Sequence, residues 1–262
     1  VRDGKLAVSM GGGRSLHIAV MDINGHYDEY TDGDTIEENP CWAAKKNGVY
    51  FSTAGYAYDR NGIVSGPRSI AYLDLDKKLM SEIVADENYD YLHVRQDQNG
   101  DLYYIRQPYG GEKPRGGITF RDVIMFPYRI VKGLFGFLNY FATIFGGESL
   151  KSGGASNGVK FKQRSKKDLM IEGNVINAEK LDKINEANGG KTAGIMPASR
   201  VLIRRAADGR EDIIKKGVLD YVLEGGGSVI VSNGRHLLRI DRDGNESHIA
   251  KAKIAVNLNI VK

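Results

Sequence analysis

The stretch LLRIDRDGNESHI, Leu237 to Ile249, holds two short segments in which apolar and polar residues alternate, separated by Asp243-Gly244. Such alternation is typical of β-strands that bury one face. Asp-Gly and Asn-Gly readily take up the positive φ angles of a type I′ turn, which joins neighbouring antiparallel strands. The stretch therefore predicts a β-hairpin with a type I′ turn.

This strand–turn–strand unit occurs four times along the chain. The other copies are centred on Asn24-Gly25, Asp76-Lys77 and Asp208-Gly209. Inner strands are predicted before two of the copies: PCWAA (Pro40–Ala44) and NGVYFSTAGYAY (Asn47–Tyr58) before the second, DYVLE (Asp220–Glu224) and GGSVIVSNG (Gly226–Gly234) before the fourth. The segment YLHVRQDQNGDLYYIRQ (Tyr91–Gln107) supplies the inner half of another unit. Turn spacings of 52 residues (24 to 76) and 35 residues (208 to 243) bracket the repeat of four-stranded propeller blades.

These repeats resemble the TolB- and WD40-like repeat β-propellers in the runs VYFSTAG, SIAYLDLD and LLRIDRDGNES. The resemblance covers Lys5 to Glu112 and Ala198 to Lys253, although 132 residues separate the second and third turns and no Trp-Asp dipeptide occurs. It implies an all-β fold, a single β-propeller domain over residues 1–262 with about five to six four-stranded blades. The alternative is an irregular β-sandwich with a helical insertion. Trp42, at the start of a predicted blade, is expected to be buried between blades.

An apolar segment, FPYRIVKGLFGFLNYFATIFG, occupies Phe126 to Gly146 in the long gap between the second and third hairpins. Apolar residues recur there at three- and four-residue steps, which predicts a helix with a broad apolar face. Its apolar core is about 13 residues long, whereas a bilayer span needs about 20. We therefore predict a helical insertion over residues 118–190 that does not cross a membrane.

Three interpretations of this helix remain open from the sequence. It packs against the β body, or it lies in a membrane interface with the help of the basic run KFKQRSKK (Lys160–Lys167), or it is a docking or self-association surface. In the second and third cases the predicted contact residues are Phe126, Arg129, Lys132, Phe135, Phe137, Tyr140 and Phe145.

Motifs that carry catalysis, cofactor binding or metal binding were not found in the sequence. The five histidines show no ligand spacing, and the acidic runs DGDTIEE (Asp32–Glu38) and DRDGNE (Asp241–Glu246) lack the EF-hand pattern and are interpreted as solvated turns. Cys41 is the only cysteine, which excludes an intrachain disulfide. A net charge of +4, spread along the chain, argues against a dedicated nucleic-acid binder. We therefore predict no catalytic residue, no cofactor and no metal.

The leading functional hypothesis is a non-enzymatic propeller scaffold in which the inserted helix contacts a protein partner, a second copy or a membrane surface. The alternative is a propeller enzyme, a hydrolase or lyase, with an active site in a central channel. The chain starts VRDGKLAV, without an initiator methionine or a signal segment, so we expect upstream residues to be missing. The compartment stays open, with the cell envelope or membrane periphery favoured by the apolar helix.

Overall fold

A computed structural model describes residues 1–12, 15–59, 62–110, 168–171, 174–177, 180–181, 183–185, 192–252 and 254–260. Strands dominate these residues. In chain order they are β1 (Leu6–Met10), β2 (His17–Met21), β3 (Tyr27–Glu29), β4 (Thr35–Trp42), β5 (Gly48–Asp59), β6 (Gly62–Ser65), β7 (Ser69–Asp74), β8 (Leu79–Val84), β9 (Tyr89–Gln96), β10 (Leu102–Pro108), β11 (Asp168–Ile171), β12 (Asn174–Asn177), β13 (Val201–Arg205), β14 (Glu211–Lys216), β15 (Asp220–Gly225), β16 (Ser228–Ser232), β17 (His236–Ile240) and β18 (Glu246–Lys251).

Four sheets are meanders in which strands pair in chain order. Sheet 1 is β1-β2-β3, sheet 2 is β4-β5-β7-β8, sheet 3 is β9-β10-β13-β14 and sheet 4 is β15-β16-β17-β18. The far end of β5 also pairs with β6, so a hairpin extends beyond sheet 2. This all-β arrangement of antiparallel, mostly four-stranded sheets is consistent with a propeller of several blades.

The described residues form four such sheets, and the predicted number of about five to six blades stays a prediction. β10 pairs with β13, although residues 109–200 lie between them in the chain. The pair of strands at Tyr91–Gln107 and the hairpin at Asp208-Gly209 therefore belong to one sheet and not to two. The innermost strands predicted at Pro40–Ala44 and Asp220–Glu224 are confirmed as parts of β4 and β15.

The predicted helical insertion, residues 118–190, is described only in part. Its strands β11 and β12 pair antiparallel, so this part is β-structure and not helix. The two strands are joined by only two residues and carry β-branched residues, which favours a hairpin. Helical residues occur at 180–181 and 183–185, where Leu181 packs on the cluster of Ile195, Met196 and Leu219. The apolar helix predicted over residues 126–146 lies outside the described residues.

Helices among the described residues are all too short or too polar to span a membrane. The chain divides into two compact units, Val1–Leu150 with Ile203–Asp212, and Lys151–Leu202 with Ile213–Lys262. The predicted single domain over residues 1–262 stays a prediction.

The hairpin turns are not of type I′, because that type needs two successive positive φ angles. φ is positive at Gly25 (86°) and Gly244 (85°) but not at the residues before them. Instead, an aspartate at the start of the first, second and fourth turns accepts backbone hydrogen bonds, whereas the third turn starts at Ala206. Asp22 Oδ1 accepts hydrogen bonds from the amides of Asn24 (2.8 Å) and His26 (3.0 Å). Asp241 Oδ1 accepts hydrogen bonds from the amides of Asp243 (2.9 Å) and Asn245 (2.8 Å), so the first and fourth turns share the pattern Asp-x-Asn/Asp-Gly.

An apolar core joins the facing sides of sheets 1 and 2. Its buried members are Ile18, Val20, Val49, Phe51, Ala71, Leu73 and Leu75. Trp42 packs against this cluster but is only partly buried, so the prediction of a buried Trp42 is wrong in degree. Trp42 lies at the last residue of β4, beyond the centre of the sheet, and the Arg2 guanidinium covers its ring at 5.9 Å from the centroid.

A buried carboxyl, Glu37, completes the junction between sheets 1 and 2. Two main-chain hydrogen bonds join Leu16, just before β2, to β4. The Leu16 amide donates to Thr35 O (3.1 Å), and the Glu37 amide donates to Leu16 O (3.0 Å). Glu37 Oε2 then accepts hydrogen bonds from the Ile18 amide (3.1 Å) and from the Thr31 hydroxyl, and Oε1 accepts from the Thr35 hydroxyl (3.3 Å). Burial raises the pKa of Glu37 to about 7, because its side chain has lost contact with water.

Replacing Glu37 with Gln should flatten the pH dependence of stability. Between pH 4.5 and about 7 folded Glu37 holds a proton that the unfolded chain has released, so stability is greatest below this window and falls as pH rises through it. The fall is about 3 kcal/mol in the parent and absent in the variant, which keeps an acceptor oxygen without a charge. Urea denaturation at several pH values measures the effect, with the exposed Glu29→Gln as the control. Equal pH slopes for parent and Glu37→Gln would contradict it.

Candidate functional site at the base of the insertion

The long chain segment between β10 and β13 leaves the body at one end of sheets 2 and 3. Pro108, the last residue of β10, lies opposite Tyr89, the first residue of β9. Tyr109 follows, and its amide donates to Asn88 O (2.8 Å). The Tyr109 hydroxyl donates to the carbonyl of Ser65, the last residue of β6. We call the segment between β10 and β13, residues 109–200, the insertion. Its first residue, Tyr109, lies beside the end of the β5–β6 hairpin.

A polar network joins the two sheets at this end. Arg68 Nε donates to Glu38 Oε2 on β4 (3.1 Å), and the Arg68 amide donates to Asp90 Oδ1 on β9 (2.9 Å). Asp90 Oδ2 is 3.5 Å from Gln107 Nε2 on β10. We call Glu38, Arg68, Asp90, Gln107 and Tyr109 the insertion rim.

The main chain supports the insertion rim directly. The Tyr91 amide donates to Arg68 O (3.0 Å), which ties the start of β9 to the residue that precedes β7. Burial raises the pKa of the Tyr109 hydroxyl, and the nearby Asp90 carboxylate raises it further while Arg68 lowers it. Tyr109 is therefore a neutral hydrogen-bond donor near neutral pH, which suits its contact with the Ser65 carbonyl.

The side chains of the insertion rim bind one another and have a structural role. Asp90 is 5% exposed and accepts from both a backbone amide and a side-chain amide, so its charge is compensated within the protein. The Arg68 and Glu38 side chains are 21% and 34% exposed, so their ion pair is partly shielded from solvent. These contacts fix the point at which the chain departs from the sheet.

The predicted contact residues cannot be placed against this rim. Phe126, Arg129, Lys132, Phe135, Phe137, Tyr140 and Phe145 all lie outside the described residues. Tyr109 lies one residue before this described range ends at 110.

The acidic run at Asp32–Glu38 is only partly the solvated turn that its sequence predicted. Glu37 and Glu38 lie on β4, where successive side chains point to opposite faces of a sheet. Glu37 reaches sheet 1 and Glu38 reaches Arg68, so sequence reasoning missed both roles. The sequence TIEENPCW gave no clear signal, because Asn39 and Pro40 interrupt it and the pairing register shifts between Glu38 and Cys41. Across the described ranges, no three His, Cys, Asp or Glu side chains are placed to hold a metal.

The histidines are also closer together than their spacing suggested. His236 on β17 and His248 on β18 lie in contact across the hairpin, with His236 Nδ1 3.0 Å from His248 Nε2. The sequence did not predict this contact. Which residues of a hairpin lie opposite each other depends on its register, and a β-bulge shifts the register between β17 and β18.

Comparisons with known proteins give only distant similarity. Neither a family model nor a curated protein matches the chain. Solved structures that it resembles include TolB from Acinetobacter baumannii, at 14% identity and a TM-score of 0.35, covering 96% of this chain and 53% of that one. YjhT matches at 9% identity and a TM-score of 0.40, covering 96% and 64%, and the tricorn protease at 12% and 0.26, covering 95% and 29%.

The chain thus spans between 29% and 64% of the length of these three structures. At such identities and TM-scores the similarity carries no argument about family, activity or partner.

Replacing Arg68 with Leu should destabilise the protein by about 1–3 kcal/mol, because Glu38 would keep its charge in a partly buried position without its partner. The matched control is Arg210→Leu, which removes an ion pair to Asp208 whose side chains are 81% and 56% exposed. That change should cost much less, because water surrounds both side chains and screens their attraction. Chemical denaturation measures both variants. Similar losses in the two would show that the insertion rim contributes nothing beyond an ordinary surface pair.

Proposed function

We propose that this protein is a non-enzymatic β scaffold of blade-like sheets that presents its insertion to a protein partner, a second copy or a membrane surface. The observation that carries the proposal is the pairing of β10 with β13 across residues 109–200. A sheet that closes over so long an interruption does not need the inserted residues as strands of its own. The insertion is therefore free to serve contact with another surface.

The sequence of the insertion supports a contact role. Its apolar residues Phe126, Phe135, Phe137, Tyr140 and Phe145 are flanked by Arg129 and Lys132, and the basic run Lys160–Lys167 follows. Aromatic and aliphatic side chains contribute about 1.5–3 kcal/mol each when they leave water, and lysine and arginine side chains add attraction to phosphate-bearing surfaces. The insertion rim gives this segment a fixed starting point at Tyr109.

The alternative function, a hydrolase or lyase, is not supported by Glu37, the carboxyl group at the junction of sheets 1 and 2 whose pKa is raised. A pKa of about 7 would suit a general acid or base. Yet Glu37 is 2% exposed and both of its oxygens accept hydrogen bonds from the protein, so it holds sheets together and has no access to a substrate.

Replacing Phe137 and Phe145 together with Ser should abolish contact while leaving the cooperative melt nearly unchanged. Sedimentation with phosphatidylserine-containing liposomes tests a membrane surface, and analytical ultracentrifugation tests self-association. Asn139→Ser, a polar position in the same segment, is the matched control and should retain both. A parent protein that shows neither association, together with a variant that fails to fold, would identify the segment as core and overturn the proposal.

Replacing residues 112–166 with a short Gly-Ser linker should leave sheet 3 intact, because β10 and β13 pair with each other directly. Circular dichroism should show unchanged strand content and a cooperative melt, whereas liposome binding or self-association should be lost. Loss of the cooperative melt would show that the insertion is needed for folding. Retained association would place the contact surface elsewhere.

A further inference from the structure

The two histidines of the last hairpin are placed as a pair on sheet 4. His236 is 7% exposed, whereas His248 is exposed to solvent. Their rings meet edge to face, with centroids 5.2 Å apart and an interplanar angle of 63°, and His236 Nδ1 lies 3.0 Å from His248 Nε2. One imidazole is thus held in the fold while the other is in contact with water.

A β-bulge brings the two rings together. Leu237 is opposite Ala250 and Leu238 is opposite His248, so Ile249 is the extra residue on β18. A bulge changes the direction of the side chains around it and is common next to binding sites. The backbone of His236 is also fixed, because its amide donates to Asn233 Oδ1 (2.9 Å).

We propose that His236 and His248 chelate a divalent transition metal ion, Cu²⁺ or Ni²⁺, with water in the remaining positions. Imidazole nitrogens bind such ions at about 2.0–2.1 Å. Two nitrogens in neighbouring positions of a square-planar or octahedral ion are then about 2.9 Å apart, whereas a tetrahedral ion needs about 3.3 Å. The two nitrogens are already 3.0 Å apart, so binding in the first arrangement, which Cu²⁺ and Ni²⁺ prefer, needs a rotation of the rings toward a shared ion and little change in their separation.

The proton balance of binding is simple. Without metal, one of the two facing nitrogens carries the hydrogen of the N–H···N contact. On binding, that hydrogen moves to the other nitrogen of the same ring by exchange with water, so each ring stays neutral and both facing lone pairs bind the ion. Acid weakens the complex because protonated imidazole has no free lone pair.

Calorimetric titration of the whole protein with Ni²⁺, which avoids oxidation of Cys41, tests the site, and Cu²⁺ is the second probe. The parent should bind one ion, and His248→Ala should weaken binding at least about tenfold. His26→Ala is the matched control, because His26 is another exposed histidine just after a hairpin turn, and it should bind as the parent does. Ni²⁺ should also raise the melting temperature of the parent and of His26→Ala but not that of His248→Ala.

Equal affinities for the parent and His248→Ala would overturn the proposal. A loss of binding in His26→Ala would also overturn it, because His26 and Asp22 would then be the ligands. His236→Gln tests the buried ligand and should bind no better than His248→Ala. If that variant does not fold, broadening of the His236 and His248 ring signals by Cu²⁺ in the parent replaces it, and unbroadened signals count against the site.

Discussion

Two adjacent carboxyl groups on β4 take part in the junctions of sheet 2 with its neighbours: Glu37 contacts sheet 1 directly, and Glu38 holds Arg68, whose main chain contacts sheet 3. Because alternate residues of a strand face opposite sides, Glu37 and Glu38 point away from each other. Glu37 accepts the Ile18 amide and the Thr31 hydroxyl of the sheet 1 segment, and Glu38 accepts Arg68, whose amide is held by Asp90 of sheet 3. Apolar packing is not directional, so it brings the sheets together without fixing how they slide. The hydrogen bonds that Glu37 and Glu38 accept are directional, and they therefore fix the position of one sheet along the next.

The two junctions differ in their electrostatics. Glu37 is buried among neutral donors and is favoured in its uncharged form, whereas Glu38 is partly exposed and pairs with a cation. The first contact is therefore sensitive to protons and the second to ionic strength. The contact of Glu37 with sheet 1 thus responds to pH, whereas the contact of Glu38 with Arg68 responds to salt concentration.

Much of the fold could be predicted from the sequence because each hairpin is a local structure. Alternation and the Asn-Gly and Asp-Gly pairs located the strands near Asn24, Asp208 and Asp243, and short apolar segments upstream located the inner strands at Pro40 and Asp220. The pairing of β10 with β13 could not be found this way, since no local pattern reports a partner that lies beyond residues 109–200. The roles of Glu38, Arg68 and Asp90 depend on contacts between sheets, which periodicity does not encode.

The interruption of sheet 3 also sets the order in which the chain can acquire its structure on the ribosome. Chain synthesis proceeds at about 5–20 residues per second, so the roughly 90 residues of the interruption take about 5–18 s to produce. During that interval the edge of β10 that pairs with β13 in the folded sheet has no partner, and unpaired strand edges favour aggregation. The edge closes when β13 emerges and Arg204 reaches Asp101, to which its guanidinium donates twice, at 2.8 Å and 2.5 Å. The sheet therefore cannot be completed before residues 109–200 have been made, whatever the strength of its individual contacts.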